Sequence, residues 1–240
     1  METKRVALVT GASRGIGFAA ARALAGAGIH VVALARTVGG LEALDDAIKS
    51  AGGTCTLLPY DLLKGDLIEG LGPVLFDKFG RLDILVGNAA MLGPMTPVAQ
   101  YDPATWDRLF NLNVTANLRL IRTCDPLLRA SPAGRAVFVT SGAVNANKPY
   151  IAAYAASKAA LENMVSCYAA EISHTNVKVN LLDPGRVRTA MRAEYAPGED
   201  PMSRPAPEDM ADVFVALTAE DLTQNGELFI LNEDDLKDAA

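Results

Sequence analysis

The chain has 240 residues, of which 50% are hydrophobic and 21% charged, with a formal net charge of -6. This balance is typical of a globular protein with a large core and excludes a disordered chain. An acidic chain with no long basic run is not expected to bind nucleic acid or an anionic membrane, so we expect a small-molecule partner. The three cysteines are far apart and lack CxxC spacing, which indicates neither disulfides nor a zinc site; we expect no metal.

The first apolar run stops at Gly11, which is too short for a signal sequence or a spanning helix, so we expect a cytoplasmic protein. Compact apolar runs then alternate with helical periodicity. The predicted strands cover 6–9, 30–35, 54–59, 82–86, 136–140, 177–182 and 228–231, and the predicted helices cover 16–24, 41–50, 67–79, 103–130, 151–172 and 207–219. Helical crossovers force parallel pairing, so the pattern predicts an α/β fold with a doubly wound, mostly parallel sheet.

No shift in composition divides the chain, and we therefore predict one domain over 1–240. Residues 190–207 include a short Pro-rich stretch between a strand and a helix. Because connecting loops often carry function, we interpret 190–207 as a lid loop over a substrate pocket; an irregular connection is the alternative. The chain ends in an acidic tail, residues 232–240.

A glycine-rich turn, Thr10-Gly11-Ala12-Ser13-Arg14-Gly15-Ile16-Gly17, follows the first strand and opens the first helix. Glycines let the backbone turn tightly and approach a pyrophosphate, whose charge is stabilised by the free N–H groups of the helix N-terminus. The turn therefore indicates a dinucleotide, although a glycine turn can also simply connect a strand to a helix.

This TGxxxGxG motif resembles the short-chain dehydrogenase/reductase family of the classical type, and the resemblance extends from Lys4 to about Ala219. It implies a Rossmann-type fold and an NAD(P)-dependent oxidoreductase. It also implies a set of cofactor-binding residues in and after the first four strands: Gly11, Ser13, Arg14, Gly15, Ile16, Gly17, Asp61, Leu62, Asn88 and Ala89. Asp61 and Leu62 would contact the adenine, and Asn88-Ala89-Ala90 resembles the family's NAG turn.

The second strand ends in Ala35 and Arg36, where the family carries an acidic residue that binds the adenosine ribose. Without that carboxylate, Arg36 and Arg14 could pair with a 2′-phosphate, because guanidinium groups match phosphate oxygens. We therefore predict a preference for NADP(H), with NAD(H) left possible.

Tyr154 and Lys158 are four residues apart in a predicted helix, which places both side chains on one face. An ammonium near a phenol stabilises the phenolate, so we expect Lys158 to lower the pKa of Tyr154 towards neutrality. Ser141 lies thirteen residues before Tyr154, the family spacing between the substrate-binding serine and the catalytic tyrosine. By resemblance, Tyr154 exchanges a proton with the substrate oxygen, Ser141 orients that oxygen, and Lys158 also holds the nicotinamide ribose.

Two further segments complete the site by resemblance. Asn113 corresponds to the family asparagine whose backbone carbonyl holds a water bonded to the lysine. The segment 184–189 resembles PGxVxT, with Pro184, Gly185, Val187 and Thr189 contacting the nicotinamide. Asp183, just before it, replaces a residue that is usually small in the family, and its role is not explained by the sequence.

Taken together, these residues and the resemblance predict transfer of a hydride between NADP(H) and a ketone or secondary alcohol, as in enzymes of the 3-oxoacyl-carrier-protein reductase type. The alternative is a non-catalytic NADP(H)-binding sensor or scaffold. A sugar-nucleotide epimerase would need a larger C-terminal domain, and a hydrolase is disfavoured because GxSxG is absent. Family members are commonly oligomers, so we expect a homodimer or homotetramer; the absence of the family's C-terminal glycine pair casts doubt on the tetramer.

Overall fold

Seven parallel strands form one sheet in the computed structural model, which describes residues 4–231. The strands are β1 (Val6–Thr10), β2 (His30–Leu34), β3 (Cys55–Leu58), β4 (Ile84–Gly87), β5 (Arg135–Val139), β6 (Lys178–Asp183) and β7 (Leu228–Ile230). Their order across the sheet is β3-β2-β1-β4-β5-β6-β7. The predicted doubly wound α/β fold is confirmed, here with every pairing parallel.

Helices cover both faces of this sheet. They are α1 (Gly15–Gly26), α2 (Val38–Ser50), α3 (Gly65–Glu69), α4 (Leu71–Phe79), α5 (Pro103–Phe110), α6 (Ala116–Arg129), α7 (Ala143–Ala146), α8 (Ala152–Glu171), α9 (Ala190–Tyr195) and α10 (Ala211–Leu217). Within residues 4–231, no helix combines the length and the apolar character needed to cross a membrane.

The strands are apolar throughout because both faces of the sheet are buried. In β1, Val6 and Leu8 pack into the core beneath α4, α6 and α8, whereas Ala7 and Val9 pack into the core beneath α1, α2 and α10. Side chains of a strand alternate between its faces, so two cores need an apolar residue at every position. Because the two cores lie on opposite faces of one sheet, the described residues form a single domain.

The strand order reverses between β1 and β4, because the chain runs outwards from β1 to β3 and then crosses to β4 on the other side. The crossovers on the two sides of this point diverge and leave a crevice beyond the carboxyl ends of the strands. The turns after β1, β4, β5 and β6 all open into this crevice, which gathers residues distant in sequence.

Three predicted elements differ in detail. The helix expected over 67–79 is interrupted at Gly70, where Thr123 Oγ1 accepts from Gly72 N (2.9 Å) and donates to Glu69 O (3.2 Å), replacing helical hydrogen bonds. The helix expected over 103–130 contains a π-helical turn, Asn111–Thr115. The segment 190–207, expected as a loop, contains α9, whose N-terminus is capped by Thr189. The acidic tail, 232–240, lies outside the described residues.

Candidate active site

An open cleft of about 1550 Å³ lies beyond the carboxyl ends of the strands. Most of the residues predicted to bind cofactor or substrate line it: Gly11, Ser13, Arg14, Gly15, Ile16, Arg36, Asp61, Leu62, Asn88, Ala89, Ser141, Tyr154, Lys158, Pro184, Gly185, Val187 and Thr189. Gly17 and Asn113, also predicted, are buried and lie behind the wall of the cleft. The fold therefore brings the predicted set to one place, with two members supporting the wall.

The glycine-rich turn packs directly against the turn after β4. A Cβ atom on Gly17 would lie 2.4 Å from Asn88 Nδ2 and 2.5 Å from Gly11 O, too close for any side chain. Gly11 has a φ of +66°, a left-handed backbone that favours glycine. These two glycines let the backbone of the turn approach the neighbouring strand end closely and leave no side chain in the way of a phosphate.

Thr10, which the sequence analysis did not assign to the site, joins the two turns. Its Oγ1 donates to Val86 O (3.1 Å) and accepts from the backbone N–H groups of Asn88 (2.9 Å) and Ala89 (3.1 Å). Asn88 Nδ2 donates in return to Thr10 O at 2.9 Å. Asn88 is thus held by two bonds to Thr10, and its side chain supports the turn.

The adenosine end of the cleft matches the chemistry of a nucleotide phosphate. Helix α1 begins after Arg14 without a side-chain cap, which leaves backbone N–H groups free for an anion. The side chains of Arg14 and Arg36 are exposed, and neither forms an ion pair with another described residue. Asp61 Oδ1 accepts from Leu63 N at 3.0 Å and so holds the turn after β3. The backbone N–H groups at the start of α1 and the guanidinium groups of Arg14 and Arg36 are therefore suited to binding the phosphates of a dinucleotide.

Tyr154 and Lys158 lie on one face of α8, as predicted, and both are buried, with exposures of 8% and 1%. The Lys158 Nζ is 6.0 Å from the centre of the Tyr154 ring and donates to Val139 O at 2.7 Å. Burial lowers the pKa of Lys158 to about 8, and the carboxylate of Glu162, one helical turn further on, opposes this shift. The ammonium is therefore desolvated but retained at neutral pH.

The expected lowering of the Tyr154 pKa is wrong. Burial raises the pKa of Tyr154, hydrogen bonding from Ser141 lowers it, and the nearby charge of Asp183 raises it. The charge of Lys158 was expected to lower this pKa against the opposing effect of desolvation, and in the folded chain desolvation of the phenol has the largest effect. At neutral pH Tyr154 is a protonated phenol.

Asn113 lies in the π-helical turn between α5 and α6 and is fully buried. Its side chain spans two elements: Oδ1 accepts from Met91 N (3.0 Å), and Nδ2 donates to Met91 O (3.0 Å) and Ser157 Oγ (2.9 Å). Its carbonyl oxygen accepts from Asn117 Nδ2 at 2.9 Å. Asn113 thereby ties the segment after β4 to α8. Such π-helical turns often occur at functional sites.

The segment after β6 forms the wall opposite the glycine-rich turn. Asp183 Oδ1 accepts from Gly185 N at 3.0 Å, and Val187 is buried in the core. A Cβ on Gly15 would lie 3.5 Å from Thr189 Cγ2, so the two walls nearly touch. Thr189 Oγ1 accepts from Arg192 N at 3.1 Å, which leaves its hydroxyl hydrogen available to a ligand.

The lid segment, residues 190–207, is held by a small network of charges. Glu199 bonds to Arg192 through both carboxylate oxygens (2.5 and 2.7 Å) and to Arg204 at 2.7 Å. These side chains are only 17–21% exposed. Met191 and Tyr195 of α9 pack near Leu92, Ile151 and Tyr154, giving the substrate end an apolar lining.

Three supporting residues were missed by sequence reasoning. Glu162 accepts from Thr140 Oγ1 at 2.6 Å and lies four residues after Lys158, a helical spacing that could have revealed it. Ser157 Oγ donates to Tyr154 O at 2.7 Å and is adjacent to Lys158 in sequence. Nothing in the sequence distinguishes the role of Thr10, because it depends on the pairing of β1 with β4.

A dinucleotide-sized cleft at the end of a parallel sheet, with a buried Tyr and Lys beside it, defines the class: an NAD(P)-dependent oxidoreductase. The family model for short chain dehydrogenase matches residues 5–200. The chain belongs to the short-chain dehydrogenase/reductase family.

Individual relatives of this family are also similar to the chain along most of its length. The chain is 34% identical over 220 residues to the uncharacterized oxidoreductase YciK of Escherichia coli K12, covering 90% of this chain and 87% of that protein. A solved short chain dehydrogenase from Salmonella enterica is similar with a TM-score of 0.91 and 32% identity, over 95% of this chain and 96% of that one. A Shigella flexneri 2a protein complexed with NADP has a TM-score of 0.88 and 34% identity, over 94% and 96% of the two chains.

Proposed function

We propose that this protein is an NADP(H)-dependent reductase of a ketone, with Tyr154 as the proton donor. The buried, protonated Tyr154 beside Lys158 carries the proposal. A phenol that holds its proton at neutral pH can donate it to a carbonyl oxygen as that oxygen gains negative charge. A ketone with an acyl chain, as in the 3-oxoacyl-carrier-protein reductase type, stays one candidate for the substrate.

Each of the site residues has a role in this proposal. When bound, the nicotinamide supplies the hydride. Ser141 Oγ accepts from Ala143 N at 3.2 Å and hydrogen-bonds to Tyr154, so its hydroxyl lies where it would orient a substrate oxygen next to Tyr154. Lys158, held by Val139, would bind the nicotinamide ribose hydroxyls and replace the proton that Tyr154 gives up. Asn113 supports α8 from behind and is proposed to hold the connecting water through its carbonyl.

The preference for NADP(H) is supported by the two unpaired guanidinium groups, Arg14 and Arg36, at the adenosine end of the cleft. Structures of similar proteins complexed with NADP or NADPH also support it. The backbone around the glycine-rich turn would bind the pyrophosphate, Asp61 and Leu62 the adenine, and Pro184, Gly185, Val187 and Thr189 the nicotinamide. The lid segment would cover the substrate.

Tyr154→Phe tests the proposal because it removes one oxygen atom from the site. We expect kcat for NADPH-dependent reduction to fall about 100-fold or more, with NADPH affinity nearly unchanged. Tyr168→Phe is the matched control on the same helix, since Tyr168 is buried and bonds only to Asp125 among the described residues. If the protein binds NADPH but reduces no compound in a broad panel of carbonyl substrates, the proposal is overturned. That result would favour the alternative, a non-catalytic NADP(H)-binding sensor or scaffold.

We also propose a homodimer formed through α6 and α8, in a cytoplasmic protein. A groove of about 460 Å³ between these helices includes the exposed side chains of Leu118 and Cys167 and the half-buried Met164. Exposed apolar side chains at one place favour association with a second copy. Light scattering on a sizing column should give twice the chain mass, and Leu118→Glu should give a monomer; a wild-type monomer would contradict the proposal.

A further inference from the structure

Asp183 is a buried carboxylate in the active-site cleft that the proposed reaction does not use. Its residue is 7% exposed, and it lines the cleft at the end of β6. Burying a carboxylate is unfavourable unless hydrogen bonds or a cation compensate. Among residues 4–231, Asp183 forms no ion pair, and its side chain receives one hydrogen bond, from Gly185 N to Oδ1. The other oxygen, Oδ2, therefore has capacity for a ligand.

The sheet places this oxygen beside the reacting groups. Val139 of β5 pairs with Leu182 of β6, and Thr140 N donates to Leu182 O at 2.8 Å, so Ser141 and Asp183 lie at neighbouring strand ends. Asp183 Oδ2 is 3.0 Å from the position a Cβ would take on Gly142, the residue after Ser141. The charge of Asp183 also reaches Tyr154. A substrate oxygen held by Ser141 and Tyr154 would bring its neighbouring carbon within reach of Oδ2.

We propose that Asp183 determines specificity by accepting a hydrogen bond from a hydroxyl group on the carbon next to the substrate carbonyl. The substrate class is thus an α-hydroxy ketone, which takes a hydride at the carbonyl carbon and a proton at the oxygen and leaves as a vicinal diol. This inference rests on the proposed ketone reductase function and narrows its substrate.

Other substituents at this position fit less well. A carboxylate or phosphate would face the negative charge of Asp183, and an unsubstituted carbon would leave a desolvated carboxylate without a donor. An ammonium would share the cleft with the cationic side chains of Lys148, Arg186 and Arg188. A neutral hydroxyl avoids all three penalties. The apolar lining around Leu92 and Ile151 suits the carbon skeleton of a small ring or chain.

The kinetic test compares 2-hydroxycyclohexanone with cyclohexanone, which differ by this one hydroxyl. The ratio of their kcat/KM values cancels any general effect on Tyr154 or on the cofactor. We expect wild type to prefer the hydroxy ketone, and Asp183→Ala to reduce the ratio about 10-fold to 100-fold. Asp183→Asn retains the bond from Gly185 N and should reduce the ratio less. The exposed carboxylate of Asp212, outside the cleft, provides the control Asp212→Asn, which should keep the wild-type ratio.

A binding measurement makes the test independent of turnover. With NADP⁺ present, calorimetry should show trans-cyclohexane-1,2-diol binding more tightly than cyclohexanol, and Asp183→Ala should abolish the difference. If the diol binds more tightly in this way but no ketone is reduced, the proposed reductase function is overturned. The proposal that Asp183 binds a hydroxyl group is then retained. Equal binding of the two alcohols by wild type, an unchanged ratio in Asp183→Ala, or a loss confined to NADPH affinity would overturn the proposal for Asp183.

Discussion

Lys158 donates from its Nζ to the carbonyl oxygen of Val139, 2.7 Å away, at the end of β5. This bond fixes the ammonium beside Tyr154 and the substrate end of the cleft. The group is almost fully buried, so its charge depends on the few partners that the fold provides. Two predictions concern the proton on this amine.

The carboxylate of Glu162 raises the pKa of Lys158, which burial lowers to about 8. If the protonated amine is required, kcat/KM of wild type falls as pH rises through about 8. Glu162→Gln should move this fall to lower pH and reduce kcat/KM at pH 8 about 3-fold. Thr140→Val removes the hydrogen bond to Glu162 but keeps the charge of Glu162. In this variant kcat/KM should therefore fall at the same pH as in wild type. An identical pH profile for Glu162→Gln and wild type would contradict this assignment.

Replacing the amine should stabilise the fold. The pKa of Lys158 is about 8 in the folded chain, against an ordinary value of 10.5 for lysine. The unfolded chain therefore binds this proton more strongly, and wild-type stability rises between those pH values. Below pH 8 the penalty is fully present and amounts to about 3 kcal/mol. Lys158→Met should therefore unfold at higher urea concentration at pH 7, and the gain should fade towards pH 10.5. A gain that does not change with pH would refute this account.

The contact between Gly17 and Asn88 leaves no room for a methyl group. Gly17→Ala would place a Cβ 2.4 Å from Asn88 Nδ2, so the glycine-rich turn must shift, and we expect NADPH affinity to fall about 10-fold or more. Gly26→Ala, in the same helix, meets no atom within 4 Å and should bind NADPH like wild type. Fluorescence titration with NADPH compares the two variants. Normal affinity in Gly17→Ala would show that the turn adapts.

The choice between NADP(H) and NAD(H) should depend on Arg36. Arg36→Asp removes a partner for the 2′-phosphate and adds a carboxylate for a ribose hydroxyl, so the ratio of kcat/KM for NADPH over NADH should fall about 100-fold. Arg22→Asp changes the charge equally on an exposed residue outside the cleft and should leave the ratio intact. Unchanged preference in Arg36→Asp would contradict the assignment of NADP(H).

Glu199 joins Arg192 of α9 to Arg204 across the lid segment. Glu199→Gln should break the ion pairs to both arginines and increase amide hydrogen exchange in α9. It should also raise the KM of the ketone about 10-fold, because a less ordered lid contacts the substrate less well. Glu194→Gln is the control for exchange, since Glu194 is exposed and forms no ion pair within the described chain. Equal exchange in both variants would show that the network does not hold the lid.

Sequence patterns predicted the order and type of nearly every element because the strands are buried on two faces and the helices on one. The interruption at Gly70 was not predictable, since it depends on Thr123 reaching across from α6. The lid segment was expected as a loop because its prolines dominated the pattern, whereas the cap at Thr189 and the ion pairs of Glu199 stabilise a helix there.

By itself the sequence determined the parallel α/β fold, the glycine-rich turn and the pairing of Tyr154 with Lys158. All three depend on the spacing of residues that are close together in the chain. Only the tertiary structure decided the protonation of Tyr154 and the placement of Asp183 beside Ser141. Burial and the pairing of distant strands control both, and water lost from a buried group leaves no trace in local sequence. The charge of an active site is thus a property of the fold around it.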